Sequence, residues 1–409
     1  MTAGDACPGI LDLHEARDGL VARIRLPGGY ASGTRLLSLA ALAARFGDGR
    51  VDLTARGNVQ IRGIQPGAAD GMARRAAAAG LMPSPAHDRA RNITASPLAG
   101  LAGNPGLRGL VRALDRAIRA DPTLAALPGR FLFSLDDGTG HAGISGCDVG
   151  LRLDSGTAEL AVAGRLTGLR IHAAAGILTA VAAARAFLGQ RQAEAARSGS
   201  GDAEAASARV AGLADGGAGV AAAIGGVLGA PVSDVTDRLA LGAAVDDATD
   251  RLALGQGAGA GQVVVVAAPL ARLTAAQVRL VARLLRTGEV ARLTAAGRVV
   301  LPLAGTPGAV PRLADPAGAA LQRLADAGLI VDDGHELAAV TACAGMGCGR
   351  SLADVRTLAG RVPGLAAVHW AGCSRRCGLP ADATAVVATA DGRLVSGDGA
   401  VLSGQARPA

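Results

Sequence analysis

Apolar and polar positions recur in the same order twice along the chain. Residues 18–100 contain "DGLVARIRLPGGYASGTRLLSLAALAARFGDGRVDLTARGNVQIRGI", then "AAAAGL", then "ITASPLAG". Residues 260–345 contain "GQVVVVAAPLARLTAAQVRLVARLLRTGEVARLTAAGRVVLPLA", then "LADAGL", then "VTACAG". Each copy predicts a strand, a helix, a strand, a helix ending in Ala-Gly-Leu, and an extended segment. Leu36, Leu39, Ala43 and Phe46 fall at helical spacing in the first copy, as do Val278, Val281 and Leu285 in the second. Thr274 and Gln277 form a capping-box signature at the start of the second helix. A weaker echo follows each copy, "ALPGRFLFSLDDG" and "VPGLAAVHWAGC". The pattern predicts an α+β protein built as a tandem pseudo-two-fold repeat, each half of two modules.

Residues 51–62, "VDLTARGNVQIR", alternate strictly. Read as one strand, they place Asp52, Thr54, Arg56, Asn58, Gln60 and Arg62 on one face. Arg, Asn and Gln make directed hydrogen bonds, and the matching "ARLTAAGRVVLP" lacks the ladder. That asymmetry points to one half reading a ligand while the other supports it. Arg91 and Asn92 follow in "RARNITASPLAG", where Ser96 takes the position of Cys343 in the second copy. The register therefore expects equivalent edges of the two halves to face a shared cleft.

The boundaries read as modules at 1–85, 86–190, 259–332 and 333–409, with an Ala/Gly-rich linker and helix at 191–258 that holds "TDRLALG" twice. The most apolar stretch, "IHAAAGILTAVAAARAF", is Ala-rich, short for a bilayer and broken by Arg185. The N-terminus lacks an apolar signal region, so a cytoplasmic protein without a membrane partner is expected. The mean hydropathy of +0.33 comes from alanine rather than aliphatic runs. All 41 basic residues are arginine, against 34 acids, for a net charge of +7. Arginine suits fixed, bidentate contacts to carboxylates and phosphates. The arginines are scattered and only six aromatics accompany them, so no nucleic-acid partner is expected. A polyanionic small molecule, or a compositional bias of the gene, remains to account for them.

Four of the six cysteines crowd the last 70 residues as Cys343-x4-Cys348 and Cys373-x3-Cys377. Two close pairs at this separation signal a four-thiolate metal site, and spacing alone does not choose zinc over iron–sulfur. The loops are wider than zinc knuckles, which leans towards a cluster. Ser351 with Asp354 predicts a helix just after Cys348, its N-terminus towards the sulfurs. Arg375 and Arg376 add positive charge. Cys7 and Cys147 read as free or buried thiols, and none of the six histidines shows metal-ligand spacing.

"LTARGNVQIRG", "RARNITASPLAG" and the two cysteine pairs resemble the sulfite/nitrite reductase superfamily. The resemblance implies ferredoxin-like half-domains alternating with sulfite-reductase-type domains, the last holding a [4Fe-4S] cluster on Cys343, Cys348, Cys373 and Cys377. Its usual first pair is x5, where this chain has x4. "ACPGIL", "DGLVARIRLPGG" and "ALPGRFLFSLDDG" look most like the oxygen-dependent branch that acts on a precorrin in aerobic cobalamin synthesis. The reductases carry Arg/Lys-Lys-Phe-Lys for their oxyanion; this chain has Gly129-Arg130-Phe131-Leu132, without the second lysine. By motif position the resemblance assigns Arg56, Asn58, Gln60, Arg62, Arg91, Asn92 and, more weakly, Arg130 to the tetrapyrrole. It implies dioxygen as co-substrate, a mononuclear non-haem iron beside the cluster, and, with no GxGxxG after a strand, an external NAD(P)H-linked electron donor. A sirohaem-dependent sulfite or nitrite reductase and a zinc-stabilised basic binding module are the alternatives.

Overall fold

The computed structural model describes residues 7–101, 106–197, 207–229, 252–256, 263–303, 316–359, 368–380, 383–397 and 399–402. It divides into two units. One comprises Met1–Gly9, Arg25–Gly29 and Met82–Asp250; the other comprises Ile10–Ile24, Tyr30–Leu81 and Arg251–Ala409. The α+β tandem repeat expected from the sequence is present, and its halves exchange strands inside the second unit.

In that unit, Gly19–Ile24, Val59–Ile64 and Arg50–Leu53 form an antiparallel sheet edged by His14–Ala16 on one side and Arg272–Thr274 on the other. Val263–Ala267, Arg298–Pro302 and Val290–Leu293 form its counterpart, edged by Gly255–Gln256 and Tyr30–Ser32. The fifth strand of each sheet thus comes from the other copy. Each exchanged strand ends on the cap of the helix that follows it. Ser32 Oγ accepts from Arg35 N–H at the start of Gly33–Phe46, and Thr274 forms the predicted capping box at the start of Ala275–Leu284. The predicted apolar stripe of the first helix is buried through Leu36, Leu39 and Ala43, and that of the second through Val278 and Val281. The two helices pack on each other, with Gly33 so close that a Cβ there would sit 3.1 Å from the Ala282 carbonyl oxygen.

The single strand expected over 51–62 is instead a hairpin. Asp52 pairs with Gln60 and Leu53 with Val59 across a turn in which Thr54 N–H donates to Asn58 O and Gly57 takes φ +65°. Alternation continues through a short turn of this kind, so periodicity alone concealed the "RGN" reversal.

The same second unit holds a third sheet. Val340–Ala342, Val368–Ala371 and Thr384–Ala388 run parallel, then Leu394–Ser396 and Val401–Leu402 continue antiparallel. The first unit repeats that topology with Ile93–Ala95, Phe133–Asp136, Val149–Asp154, Thr157–Val162 and Arg165–His172. Helix Ala173–Arg197 is long and apolar enough to cross a membrane by length and composition alone. Here it packs on the strands of the first unit and buries Ile177, Val181, Ala184 and Phe187. Helix Ala218–Val227 lies beside it, and much of 191–258 is outside the described residues.

Candidate cluster and ligand site

The cysteines sit where two parallel strands of the second unit end. Cys343 follows Val340–Ala342, and Cys373 follows Val368–Ala371 by two residues. Cys343 N–H donates to Trp370 O at 2.9 Å, and its Sγ accepts from Gly345 N–H at 3.4 Å and Gly372 N–H at 3.2 Å. Amide donors aimed at a sulfur offset the charge of a thiolate. Gly372 has no room for a side chain, since a Cβ would lie 1.9 Å from Ser351 Oγ. All four cysteines are free of disulfides; Cys343, Cys348 and Cys373 are half-buried and Cys377 is exposed. Burial raises the Cys377 thiol pKa, and the sulfurs of Cys373, Cys343 and Cys348 raise it further, while Arg375 lowers it. Because Cys377 keeps an exposed face, the three neighbouring sulfurs are the more telling cause. Among the described residues no three His, Cys, Asp or Glu side chains converge on the position of one metal ion. The donor set, four free thiols with N–H···S bonds to one of them, fits an iron–sulfur cluster.

The helix expected from Ser351 starts later, at Val355–Ala359, with Asp354 accepting from Thr357 N–H at its start. Ser351 turns inward and donates to Ala353 O. A five-residue helix is too short to supply the dipole anticipated for the sulfurs.

Two contacts hold the cysteine loops, and both involve side chains to which the sequence assigned other roles or none. His369 is 1% exposed. Its Nε2 faces Cys377 O at 3.1 Å and its Nδ1 faces Thr341 Oγ1 at 2.8 Å. A carbonyl only accepts, so Nε2 carries the hydrogen and Nδ1 accepts from the threonine hydroxyl. Burial pushes this imidazole down to about 4, against a raising contact from Cys377 O, and the Arg356 charge lowers it further. The second contact is Arg62, also buried. It donates to both Asp18 carboxylate oxygens at 2.9 Å and to Gly347 O, between the first two cysteines, at 3.0 Å. Gly347 O also accepts from the Arg17 and Asp18 N–H groups.

Arg62 is one end of a wider polar face. Arg272, Asp52, Gln60 and Arg23 are successive cross-strand partners on four neighbouring strands. Arg272 makes a bidentate ion pair with Asp52, and the Gln60 carboxamide oxygen, correctly oriented, accepts from Arg23. Burial lowers the Arg272 pKa, but hydrogen bonding and charge from Asp52 outweigh it and raise the pKa overall. Arg23 and Arg272 escaped the sequence reading; Arg272 lies more than 200 residues from its partner and joins it only through strand exchange. Asn58 is buried in the hairpin turn, and Arg56, half-buried, is at its tip. Arg56, Asn58, Gln60 and Arg62 are thus gathered in the unit that carries the cysteines.

Arg91, Asn92 and Arg130 belong to the other unit. Arg91 is 2% exposed and its Nε donates to Asp115. Asn92 donates to the Arg89, Gly129 and Phe131 carbonyls, and so shapes the turn that carries the exposed Arg130. Cys7 is buried and donates from its thiol to Gly129 O, and Arg25 donates to Pro8 O. Leu132 is 6% exposed and packs with Ile144, Cys147 and Ala161.

Residues 14–79 match the family described as the nitrite/sulfite reductase ferredoxin-like half domain. A ferredoxin–nitrite reductase of Leptolyngbya laminosa is 36% identical over 117 residues, 27% of this chain and 23% of that protein. A precorrin-3B synthase of Sinorhizobium is 39% identical over 59 residues, 14% of this chain and 13% of that protein. The matched stretches therefore span about a quarter or less of the curated relatives. The solved structure of the Mycobacterium tuberculosis NirA protein superposes with a TM-score of 0.67 at 18% identity, covering 92% of this chain and 73% of that one. Residues 14–79 are thus similar to a nitrite/sulfite reductase ferredoxin-like half domain, and the fold as a whole is like that of the Mycobacterium tuberculosis NirA protein.

Proposed function

We propose that this protein is a precorrin-3B synthase-type monooxygenase of aerobic cobalamin synthesis. The observation that carries the choice over a sulfite or nitrite reductase is Leu132. In the reductases the resemblance expects a lysine at this position to grip the oxyanion; here the side chain is apolar and packed against Ile144 and Cys147. A lysine there would have to displace these apolar contacts and bury its charge. A tetrapyrrole with acetate and propionate arms needs arginines instead, and Arg56, Arg62, Arg91 and Arg130, with Asn58, Gln60 and Asn92, are its proposed contacts. Arg56, half-buried, and Arg130, exposed, are the more accessible of these arginines. Asn58, Arg62, Arg91 and Asn92 are buried, and act on the ligand by shaping the walls that carry the others.

Cys343, Cys348, Cys373 and Cys377 are the proposed ligands of a [4Fe-4S] cluster, which when bound supplies one-electron transfer. In the balanced reaction one atom of dioxygen enters the macrocycle and the other leaves as water, with two electrons from an external NAD(P)H-linked donor and two protons. The oxygen is left as a hydroxyl on a bridging carbon, and a peripheral acetate adds to the neighbouring carbon of the same double bond to close a lactone, its proton passing to that hydroxyl, so that no further atom is gained or lost. The chain's own residues bind and orient the carboxylate arms, and His369 and Arg62 hold the cysteine loops.

Anaerobic purification followed by incubation with precorrin-3A, a reductant and isotopically labelled dioxygen tests the reading. A brown protein with iron and acid-labile sulfide, and one labelled oxygen in the product, is expected. Tightly bound macrocycle bands with turnover of nitrite or sulfite would establish the sirohaem reductase instead. A colourless protein with one zinc per chain would establish a binding module.

A further inference from the structure

Three arginines of the second unit act on one another's charge near the cysteine loops, and two are paired with carboxylates. Arg62 is paired with Asp18 and Arg272 with Asp52. Arg356 is not. Its two terminal nitrogens donate to the Leu270 and Ala342 carbonyls, each at 3.3 Å, and its buried Nε has no acceptor. Among the described residues no carboxylate lies within ion-pair distance of it. Arg356 is also built into the cysteine loop. Ala342 is the residue before Cys343, and a Cβ on Gly345 would touch the Arg356 Cγ at 3.6 Å. Burial holds its guanidinium below the usual arginine range, with Asp52 drawing it up, Arg272 down, Cys343 up and Arg62 down. Arginine does not shed its proton in proteins, so this is a fixed, half-buried positive charge with no carboxylate paired to it. Such a charge is costly unless an anion joins it.

We propose that Arg356 is the fixed countercharge of the group held by Cys343, Cys348, Cys373 and Cys377, and raises that group's reduction potential. The inference rests on the cluster reading above. A cluster on four thiolates is anionic, and its reduction adds one electron and no proton, making it one unit more negative. A fixed, half-buried cation therefore favours the reduced form over the oxidised one. Arg375 and Arg376 are exposed, and water and salt screen them.

The test is an anaerobic spectroelectrochemical titration of the holoprotein after iron and sulfide analysis. Arg356→Met is expected to shift the reduction equilibrium towards the oxidised form by about tenfold, which for a one-electron couple is about 59 mV to lower potential. Arg356→Lys keeps the charge and loses both carbonyl bonds, so it is expected to keep most of the wild-type potential while melting at a lower temperature. Arg375→Ala is expected to leave the potential unchanged. A loaded Arg356→Met protein with the wild-type potential overturns the proposal. Should that variant not load, Arg356→Lys decides, since a potential far below wild type there means that hydrogen-bond geometry, not charge, sets it. Wild-type protein without iron and sulfide overturns the cluster reading itself, and the analysis made before titration tells the two failures apart.

Discussion

Removing the Arg62 side chain separates two roles that the same residue can play. In Arg62→Ala, three charge-assisted hydrogen bonds disappear, two to Asp18 and one to Gly347 O. Bonds of this kind contribute roughly 1.5–3 kcal/mol each when fully buried. The Asp18 side chain is 32% exposed, so it rehydrates and the pair's share falls to about 1 kcal/mol. Gly347 O keeps the Arg17 and Asp18 N–H donors, which limits the loss there to about 1 kcal/mol. The buried aliphatic stem adds about 1 kcal/mol more. The total is about 3 kcal/mol, or roughly 6–12 °C for a unit of this size. Trp370 is the only tryptophan in the chain and is 1% exposed, two residues before the first thiol loop's amide donor Gly372, so urea unfolding followed by its fluorescence reads this unit alone. Asp18→Asn is expected to cost less, and the double variant less than the sum, because the two partners share one interaction. An unchanged unfolding midpoint with lost tetrapyrrole binding would refute the reasoning and make Arg62 a ligand contact only.

Three further outcomes follow from the same loops. His369 titrates at about 4 when folded and near its ordinary 6.5 when unfolded, so the unfolded chain takes up the proton first. Its contribution is complete above about pH 6.5 and is lost as the pH falls towards 4, at most about 3 kcal/mol; Trp370-detected urea midpoints at pH 7.5 and 4.5 should differ less in His369→Gln than in wild type. Gly347→Ala places a Cβ 2.3 Å from Asp18 Oδ2 and is expected to cost about 1–3 kcal/mol, whereas Gly349→Ala meets nothing within 4 Å and should unfold like wild type in the same assay. Serine at Cys343, Cys348, Cys373 or Cys377 should lower iron and sulfide per chain, and serine at Cys7 or Cys147 should not, as measured by metal and sulfide analysis.

The repeat, both capped helices and the cysteine pairs were legible because each leaves a local trace: period, capping box or spacing. What was not legible is what the chain does over distance. Nothing near Tyr30–Ser32 or Arg272–Thr274 says that each strand will join the other copy's sheet, since edge pairing is decided by tertiary packing. The partner of Asp52, which is Arg272, was therefore hidden, and with it the Arg272–Asp52–Gln60–Arg23 row. His369 was passed over because a ring that bridges a hydroxyl and a carbonyl has no sequence spacing to announce it. The polar residues of 51–62 were found but mis-set, because a tight turn preserves alternation while reversing direction.

The two copies show why only one of them carries thiols. In the first, Ser96 N–H donates to Leu135 O and Ser96 Oγ accepts from Asp137 N–H, at 3.1 Å each. In the second, Cys343 N–H donates to Trp370 O and Cys343 Sγ accepts from Gly372 N–H, at 2.9 and 3.2 Å. Register makes these the same two bonds, with sulfur in place of oxygen. The loops beyond them differ at most positions, and one difference bears on charge. Asp136 stands where the second copy has Ala371, and its carboxylate accepts from Ser96 Oγ and from the Gly138, Gly140 and Ala142 N–H groups. The first loop is thereby closed on its own anion. With alanine at the equivalent place the second loop has no such internal carboxylate, and its cysteines are the ones proposed to hold a cluster. Arg356, hydrogen-bonded to the carbonyl that precedes Cys343, rather than any arginine within the loop, is the residue proposed to answer that cluster's charge.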